Sequence, residues 1–591
     1  MNRRKDAKAK TKDVQFSASP VLSVRLPMWR SKMLVFVIFG AFGSLVARAF
    51  WIQGPGNAFY QRQGESRYER TLEMSATRGK VFDRNGQVLA TSLPVKAIWA
   101  IPEDVPDDIS TQQVRQLARL LEMGEPDLRR KLNQEKSFVY VKRQVLPDVA
   151  KQVADLDIPG VYQRKEYKRF YPEGEIAAHV VGFTNVEDIG QEGVELSMQK
   201  DLAATPGSRR VIKDRLGRVV EGVDILAQPR DGHDITLSID SKIQFLAYSE
   251  LKDAIERTGA KAGSAVVLDV RTGEVLALAN LPTYNPNNRT NLTGAQLRNR
   301  VMTDTFEPGS IMKPITIAAA LENGHVTPTS TVMTTGRANF FGANITDTHD
   351  YGLLTVAGVI QKSSNIGTAK IALQMKPQEM WDMFTSVGLG QAPKIGFPGA
   401  VAGRLRPAKS WRPIEQATMG YGYGLSASLI QLARAYTVFA HDGELLPISI
   451  YKTDGSVVKG TPVISPATAR EVRKMLEMVT SPGGTATRAQ VIGYRVGGKT
   501  GTAYKQSGKG YDKSKYRASF VGMAPMSEPR IIVAVTLDEP GRGSHYGGVA
   551  AGPAFAAIVG GTLRALNVVP DSPVTKLVVS DKVEESEPWA P

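Results

Sequence analysis

One segment near the N-terminus of this 591-residue chain restricts what the chain can fold into more than any other feature. Residues 33–47 carry no charge, and the apolar run continues past Arg48 to Ile52. A run of about twenty residues with a single charge near one end matches a helix that crosses the hydrocarbon core of a bilayer. The sequence therefore predicts one transmembrane helix over residues 33–52.

The residues around this segment indicate its orientation. Residues 1–32 contain nine lysines and arginines but only two aspartates, and the positive-inside rule places such an arm in the cytoplasm. Trp29 and Trp51 flank the segment at interfacial depth. Ala47-Arg48-Ala49 resembles a signal-peptidase site, so a cleaved signal peptide is the alternative. The long basic arm and the extension to Ile52 favour an uncleaved anchor, with the rest of the chain outside the cytoplasm.

Residue composition narrows the chemistry. The chain has no cysteine, which excludes disulfides, thiolate metal sites and a thiol nucleophile. Its six histidines form no HxH or HxxxH pair, so we expect no metal and no cofactor. The basic arm could bind nucleic acid, but the apolar segment behind it favours a membrane, so no nucleic-acid partner is expected. A length of 591 residues predicts two or more domains.

Two modules are predicted after the anchor. Residues 53–232 mix short strands with helical patches, and residues 81–90 are typical of two strands joined by an Asn-Gly turn. The polar stretch 228–232 indicates a boundary. In the second module, residues 233–570, Asp240 is expected to cap a helix. Strands are predicted at 235–239, 265–268, 275–279 and 531–537, the middle two as a hairpin, and helical patches between them indicate an α/β or α+β layer fold.

The first motif with chemical meaning is Ser310-Ile311-Met312-Lys313. Pro314 is tolerated only in the first turn of a helix, so a helix is predicted to begin at about Ser310. Ser310 and Lys313 then lie on one face, where a desolvated lysine can act as the base for a serine nucleophile. Ser-x-x-Lys occurs four times in the chain, so this pair taken alone favours a solvated helix face over a catalytic site.

Two further motifs follow in order and make the pattern specific. Ser363-Ser364-Asn365 is the chain's only Ser-x-Asn, and Lys499-Thr500-Gly501-Thr502 contains its only Lys-Thr-Gly. The second motif follows Val496-Gly497-Gly498, as expected at a strand edge whose small residues admit a ligand close to the backbone. An ordered set of these three motifs resembles the signature of penicillin-recognising acyl-serine enzymes.

The resemblance extends over nearly the whole chain. Residues 235–565 resemble a penicillin-binding transpeptidase domain. Residues 78–86 resemble the RGxIxDRNG box that opens the non-catalytic module of class B, monofunctional penicillin-binding proteins, and residues 190–195 resemble the GxxGxE box of that module. With the anchor, the pattern is most similar to the division-specific transpeptidases of Gram-negative bacteria.

The resemblance implies an α+β architecture. It has an elongated non-catalytic pedestal of the dimerisation type, followed by an antiparallel sheet flanked by helices, with an all-helical subdomain. The implied divisions are a basic cytoplasmic tail (1–32), the anchor (33–52), the pedestal (53–232), the transpeptidase domain (233–570) and a disordered tail (571–591).

The resemblance also implies roles for eight residues. Ser310 would attack the penultimate D-Ala carbonyl of a stem pentapeptide while Lys313 takes its proton. Ser363 would relay a proton to the leaving D-Ala, and Asn365 would hold the substrate amide and orient Lys313. Lys499 would supply positive potential. Thr500 and Thr502 would bind the terminal carboxylate, with Gly501 between them, and the N–H groups of Ser310 and Thr502 would form the oxyanion hole.

The implied function is peptidoglycan D,D-transpeptidation at the division septum, in the bacterial inner membrane, without ATP. The implied partners are stem pentapeptides of nascent strands derived from lipid II, β-lactams as inhibitors, an FtsW-type glycan polymerase and other divisome membrane proteins. An elongation-specific class B transpeptidase is the nearest alternative. A serine β-lactamase is disfavoured by the anchor and pedestal, and a β-lactam sensor by the short basic arm.

The remaining motifs have structural interpretations. The boxes around Arg78 and Glu192 are expected to hold the pedestal together through ion pairs, and Ser364 is expected to be filler. The segments 421–424 and 483–486 resemble family loops near the site. His349 and His545 are interpreted as surface side chains. Nothing in their spacing supports a Ser-His-Asp triad.

Overall fold

The structure is a computed structural model that describes residues 27–54, 69–106, 108–213, 219–508 and 510–573. The chain forms two compact units, one made of the segment up to Met74 with Gly207–Gln228, the other of Ser75–Pro206 with the segment from Pro229 onward. Most of the predicted basic tail (1–32) and of the predicted disordered tail (571–591) lies outside the described residues. The module boundaries predicted at residues 53 and 233 stay predictions.

The strands of the described residues are mostly short. In chain order they are β1 (Glu69–Met74), β2 (Val81–Phe82), β3 (Val88–Ala100), β4 (Val139–Val145), β5 (Val161–Phe170), β6 (Gly207–Lys213), β7 (Val219–Ala227), β8 (Ile235–Thr236), β9 (Ala262–Asp269), β10 (Val275–Leu281), β11 (Thr305–Phe306), β12 (Thr331–Thr334), β13 (Arg337–Phe340), β14 (Ala343–Thr346), β15 (Gly352–Thr355), β16 (Ala427–Ser428), β17 (Glu444–Leu445), β18 (Thr461–Pro462), β19 (Gly497–Ser507), β20 (Gly510–Ala524) and β21 (Ile531–Asp538).

The helices alternate with these strands. They are α1 (Met28–Gln53), α2 (Thr111–Leu120), α3 (Glu125–Leu132), α4 (Pro147–Ala154), α5 (Ala178–Val181), α6 (Gly193–Ser197), α7 (Gln199–Leu202), α8 (Ser241–Thr258), α9 (Gly294–Leu297), α10 (Arg300–Thr303), α11 (Lys313–Glu322), α12 (Val356–Lys362), α13 (Asn365–Ala372), α14 (Pro377–Ser386), α15 (Pro413–Gly420), α16 (Leu429–Ala435), α17 (Thr437–Ala440), α18 (Pro466–Thr480), α19 (Gly547–Ala550) and α20 (Gly552–Ala565).

The first unit contains the predicted apolar helix. Helix α1 has 26 residues, includes the whole predicted span 33–52 and begins at Met28, directly after Pro27. Its most apolar window has a mean hydropathy of 2.1, and among the described residues it is the one helix long and apolar enough to cross a membrane. The other described strands of this unit form a three-stranded antiparallel sheet in the order β1-β6-β7.

The second unit begins with Ser75–Pro206, which is part of the predicted pedestal. Strand β3 pairs antiparallel with β4 and with β5, and α2, α3 and α4 bury a separate apolar cluster against this sheet. The predicted strand–turn–strand at residues 81–90 is confirmed as β2 and β3. The turn is closed by Asp83 Oδ1, which accepts the N–H groups of Asn85 and Gln87 at 2.8 Å each.

The pedestal boxes pair with each other in the interior. Arg78 Nε lies 2.6 Å from Glu195 Oε2, and Arg169 Nε lies 2.6 Å from Glu195 Oε1, all within the buried interior. The predicted ion pairing is therefore present, but it uses Glu195 at the end of the second box, whereas Glu192 is exposed. Removing one member would leave the others buried and uncompensated, so we expect the fold of this region to need all three.

The larger part of the second unit is built on a five-stranded antiparallel sheet in the order β10-β9-β21-β20-β19. All eight residues of β9 are buried, so helices cover both faces of the sheet, with α8, α16, α18 and α20 packed against it. The predicted β9–β10 hairpin, the strand β21 and the Asp240 cap of α8 are confirmed. The predicted α+β class is confirmed.

The segment between β11 and β19 is mostly helical, and it surrounds α11. The predicted all-helical subdomain also carries short antiparallel pairs, β12 with β15, β13 with β14 and β17 with β18. Strand β19 lies at the edge of the large sheet, paired with β20 on one side. This edge faces the start of α11, since Gly501 approaches Pro308 and Ile311.

Candidate active site

The first wall of the site is the turn that leads into α11. Gly309–Met312 form one 3₁₀ turn and α11 continues from Lys313, so the predicted helix start at about Ser310 lies within this turn. Gly309 has φ +56°, a conformation that favours glycine. Pro314 sits in the first turn of α11, where its missing N–H costs no hydrogen bond.

Lys313 is the centre of the site. Its side chain is fully buried, and its Nζ atom lies 2.9 Å from Ser310 Oγ. The same atom lies 3.1 Å from Ser363 Oγ and 2.8 Å from Asn365 Oδ1. The buried amine of Lys313 thus contacts the Ser310 hydroxyl in its own motif. It also contacts the hydroxyl and the amide of a second motif, which begins 50 residues further along the chain. Burial disfavours the charged form of an amine, so these polar contacts are what allow it to lie there.

The second wall is the short connection between α12 and α13. Ser363 ends α12 with φ +59°, an uncommon conformation for a residue with a side chain. Ser364 was predicted to be filler, and that interpretation is wrong: its hydroxyl caps α13 by accepting the N–H of Gly367 at 2.9 Å. The cap fixes the start of α13, where Asn365 stands, and thereby places the Asn365 side chain beside Lys313.

The third wall is β19. Lys499 is fully buried, and its Nζ atom lies 2.9 Å from Ser363 Oγ and 3.2 Å from Thr500 Oγ1. Thr502 Oγ1 accepts the N–H of Gly547 at 3.0 Å. A Cβ atom on Gly501 would stand 2.8 Å from Ile311 Cδ1 and 2.9 Å from Pro308 O, so the close approach of β19 to the catalytic turn requires glycine there.

The structure therefore brings all eight predicted site residues around one point. The two loops predicted to lie near the site also do so. Gly309 donates its N–H to Gly422 O at 3.2 Å, and Thr485 Oγ1 lies 3.3 Å from Thr500 Oγ1. His349 is exposed as predicted, whereas His545 is partly buried, with its ring stacked 3.8 Å from that of Tyr516.

Sequence reasoning missed Asp347, which holds the second wall in place. Its Oδ1 atom accepts the N–H groups of Asn365 at 2.6 Å and of Ile366 at 3.1 Å, and its Oδ2 atom accepts the hydroxyl of Ser364. Burial raises the pKa of the Asp347 carboxyl, against the lowering effect of these donors. Asp347 stands among other polar residues in no recognisable motif, so the sequence offered no signal for it.

A second missed acid is Glu307, three residues before Ser310. Its Oε1 atom accepts the N–H of Gly424 at 2.8 Å and the hydroxyl of Tyr511 at 3.0 Å. In the described part of the chain, no three His, Asp or Glu side chains gather as metal ligands. The groups gathered at this site are a hydroxyl, two buried amines and the side chains that orient them.

Comparison with known proteins agrees with this geometry. Residues 263–560 match the family model of the penicillin binding protein transpeptidase domain, and residues 73–237 match that of the penicillin-binding protein dimerisation domain. The chain is 45% identical over 562 residues to the probable peptidoglycan D,D-transpeptidase PenA of Neisseria gonorrhoeae, covering 94% of this chain and 96% of that one. It is 41% identical over 561 residues to the peptidoglycan D,D-transpeptidase FtsI of Escherichia coli K12, covering 94% of each.

A solved structure covers the catalytic part. The transpeptidase domain of Burkholderia pseudomallei penicillin-binding protein 3 matches with a TM-score of 0.53 and 63% identity, over 57% of this chain and 98% of that one. The two family models lie in the order expected of a monofunctional enzyme, dimerisation domain first, and the three motifs occupy one site. The chain belongs to the class B penicillin-binding proteins, with an N-terminal apolar helix, a dimerisation domain and a transpeptidase domain.

Proposed function

We propose that this chain is a peptidoglycan D,D-transpeptidase that works through an acyl-enzyme on Ser310. One observation carries the proposal: Lys313 Nζ lies within hydrogen-bonding distance of Ser310 Oγ, Ser363 Oγ and Asn365 Oδ1 at once. A serine hydroxyl is a weak nucleophile until a neighbouring base accepts its proton. The buried Lys313 amine is the group in contact with Ser310 that can do so.

Acylation then proceeds in two bond changes. Ser310 Oγ forms a bond to the carbonyl carbon of the penultimate D-Ala while its proton passes to Lys313. The oxyanion that results is held by the backbone N–H groups of Ser310 and Thr502. When the intermediate collapses, the C–N bond to the terminal D-Ala breaks and its nitrogen takes a proton, which leaves an ester on Ser310.

Ser363 is suited to deliver that proton. A hydroxyl has two acceptor positions and one donor, and Ser363 Oγ lies 3.1 Å from Lys313 Nζ and 2.9 Å from Lys499 Nζ. In this step Ser363 passes its hydroxyl proton to the leaving nitrogen, and Lys313 replaces that proton. Asn365 orients Lys313 through Oδ1 and offers its amide to the substrate.

Strand β19 is proposed to hold the terminal carboxylate. The hydroxyl of Thr502, whose Oγ1 atom accepts the Gly547 N–H, is proposed to donate to this anion. Thr500 adds a second hydroxyl, and Lys499 supplies positive potential from beneath the strand. This set selects a substrate that ends in a free carboxylate, as a D-Ala-D-Ala stem does and as a β-lactam mimics.

Deacylation distinguishes the alternatives. In transpeptidation, the side-chain amine of a second stem attacks the ester and forms a 4→3 cross-link, whereas a β-lactamase would deliver water quickly to the same carbon. An elongation-specific enzyme would perform the same chemistry as a division enzyme. The similarity to the relative named FtsI favours division, with the site at the septum.

The N-terminal helix supports a proposed location. Helix α1 is proposed to anchor the chain in the bacterial inner membrane, with the basic arm in the cytoplasm and the catalytic domain in the periplasm. Glycan strands must be supplied by a partner, and an FtsW-type polymerase with other divisome membrane proteins is the proposed source.

The test is reconstitution of the full chain in detergent with lipid II and a membrane glycan polymerase. The proposal predicts release of D-Ala together with cross-linked dimers, both lost in Ser310→Ala. D-Ala release without dimers would identify a carboxypeptidase, and neither product from a sample that polymerises glycan would contradict the proposal.

A further inference from the structure

Three arginines lie together beside the elements that border β19, and the mechanism above assigns them no role. Arg257 stands in the last turn of α8, Arg488 in the 3₁₀ turn Thr487–Ala489, and Arg542 in the segment that follows β21. Three separate parts of the chain therefore bring their positive charges to one place, which is called the arginine cluster below.

The guanidinium of Arg257 is held by two backbone carbonyls at the end of α19. Its Nη2 atom donates to Ala550 O at 3.0 Å, and its Nη1 atom donates to Val549 O at 3.5 Å. The backbone of Arg488 adjoins the same place, because a Cβ atom on Gly552, two residues beyond Ala550, would stand 3.7 Å from the Arg488 carbonyl carbon.

Arg542 lies against the C-terminal end of α8. Its backbone N–H donates to Thr258 O at 2.7 Å, and a Cβ atom on Gly259 would stand 3.1 Å from Arg542 Cγ. Arg257 directly precedes Thr258, so both arginines belong to the same end of one helix. The side chains of Arg257 and Arg542 are exposed, and that of Arg488 is half-buried.

The charge of the arginine cluster is not neutralised within the described part of the chain, where none of its guanidiniums forms an ion pair. The acids at the end of β21, Asp538 and Glu539, are already paired with Lys505. Arg488 Nε is buried and has no hydrogen-bond acceptor among the described residues. Burial and the positive charge of Arg488 both lower the pKa of the Arg257 guanidinium. Since like charges repel, a bound anion would stabilise this arrangement.

The cluster adjoins elements that also contact the third motif. Thr485 Oγ1 lies 3.3 Å from Thr500 Oγ1, and Arg488 follows three residues later, so chain geometry keeps the Cα atoms of residues 485 and 488 within about 11 Å. Gly547, which donates its N–H to Thr502 Oγ1, begins α19. A polymer with one anionic group in the catalytic site therefore has further anionic groups within reach of the cluster.

We propose that the arginine cluster is a secondary binding site for the carboxylates of stem peptides on a peptidoglycan strand, separate from the stem that reacts at Ser310. A guanidinium holds a carboxylate through two parallel hydrogen bonds, and Arg257 and Arg488 supply two such groups close together. The inference rests on the proposed function and deepens it. Because stems repeat along a strand, the cluster would keep the polymer bound while one stem after another enters the catalytic site.

The test measures strand binding to the full-length protein in detergent after acylation by benzylpenicillin, which blocks the Ser310 site. The probe is a fluorescently labelled, uncross-linked glycan chain with tetrapeptide stems, and binding is followed by fluorescence anisotropy. The same chain with its carboxylates converted to methylamides is the comparison ligand. Arg257→Gln, Arg488→Gln and the double variant are compared with the control Arg119→Gln, which removes an exposed arginine on α2.

The proposal predicts that each single variant binds the acidic chain about tenfold more weakly than the unaltered protein, because charge-assisted hydrogen bonds are lost. The double variant should bind more weakly still, with a smaller dependence on salt. Arg119→Gln should bind like the unaltered protein. All variants should be acylated at the original rate, which shows that their catalytic domains are folded.

Equal binding of the acidic and amidated chains, or unchanged binding by the double variant, would overturn the proposal. A short-chain anionic phospholipid, dihexanoyl phosphatidylglycerol, is added as a competitor. If it binds the cluster more tightly than the strand does, the site is one for lipid head groups and the proposal is wrong. Absence of acylation by benzylpenicillin would instead contradict the function proposed for Ser310, while strand binding that depends on the arginines would still support the cluster's role.

Discussion

The Nζ atom of Lys499 lies 2.9 Å from the Oγ atom of Ser363, and the same hydroxyl lies 3.1 Å from Lys313 Nζ. Ser363 therefore joins the helix that carries Lys313 to strand β19. Three segments that are far apart in sequence meet at this one hydroxyl. A change in any one of them should therefore alter the geometry of the other two.

Replacing Lys313 with methionine should abolish activation of Ser310. The side chain keeps its approximate length and remains in an interior that holds Lys313 at 0% exposure, but no proton acceptor is left beside Ser310 Oγ. We expect the rate of acylation by benzylpenicillin to fall about a thousandfold, the range typical for loss of a general base. Stopped-flow or quenched labelling measures it. The exposed Lys459→Met should label at the original rate, and similar losses in both variants would contradict the assignment.

Replacing Asp347 with asparagine should disturb the second wall without removing a reacting group. Both oxygens of the Asp347 carboxylate accept hydrogen bonds, whereas an asparagine would place an NH₂ group opposite one of the donors. That donor would be left buried without an acceptor, which costs about 1–3 kcal/mol. We expect the acylation rate constant to fall about tenfold while the dissociation constant of the non-covalent complex changes little. The exposed neighbour Asp350 provides the control, as Asp350→Asn should change neither value.

Gly422 should not tolerate even one added methyl group. It has φ +92°, and a Cβ atom there would stand 2.1 Å from Gly309 O, next to the nucleophile. Gly342 has φ +89° with no atom within 4 Å of its Cβ position. Gly342→Ala should therefore lose only the backbone preference, about 1–2 kcal/mol, whereas Gly422→Ala should lose acylation as well. Thermal unfolding and penicillin labelling of both variants make the comparison, and equal labelling would mean that the contact at Gly309 is unimportant.

His179 should make the stability of the second unit depend on pH. Burial lowers the pKa of His179 from 6.5 to about 4, and its Nε2 atom lies 2.7 Å from Gln296 O. As the pH falls from 6.5 to 4, the unfolded chain takes up a proton that the folded chain refuses. Stability is therefore fully present above pH 6.5 and is lost toward pH 4, by at most about 3 kcal/mol.

Unfolding free energies measured between pH 4 and pH 7 test this sign. His179→Gln keeps a hydrogen-bond donor but cannot titrate, so its stability should fall less steeply on acidification than that of the unaltered chain. His349→Gln, at an exposed histidine, should keep the original slope. The same slope in all three proteins would show that His179 is not the group responsible.

The sequence alone predicts those features that can be identified from the order of residues along the chain. The motifs at 310–313, 363–365 and 499–502 led to the eight proposed site residues because two of the motifs are unique in the chain, and the structure brings these eight together. The apolar helix, the β9–β10 hairpin and the Asp240 cap followed from composition and periodicity. Each of these features is local, or depends on a family pattern that spans the whole chain.

The residues that were not predicted from the sequence are important because of the contacts they make in the folded chain. Asp347 matters because its hairpin folds back onto the start of α13, and Glu307 because Gly424 and Tyr511 donate hydrogen bonds to it from distant parts of the chain. Ser364 looked like filler for the same reason, since its capping role depends on where α13 begins. No sequence spacing identifies such residues, because the packing of the folded chain determines which groups they contact.

The most direct test of the central claim is intact-mass analysis of the full-length protein with benzylpenicillin, followed by peptide mapping. The account predicts a stable adduct of one drug mass on the peptide that contains Ser310, and none in Ser310→Ala. An adduct that is lost rapidly with turnover of the drug would identify a β-lactamase instead. No adduct on a folded sample, or an adduct on a different residue, would contradict the assignment of Ser310 as the nucleophile.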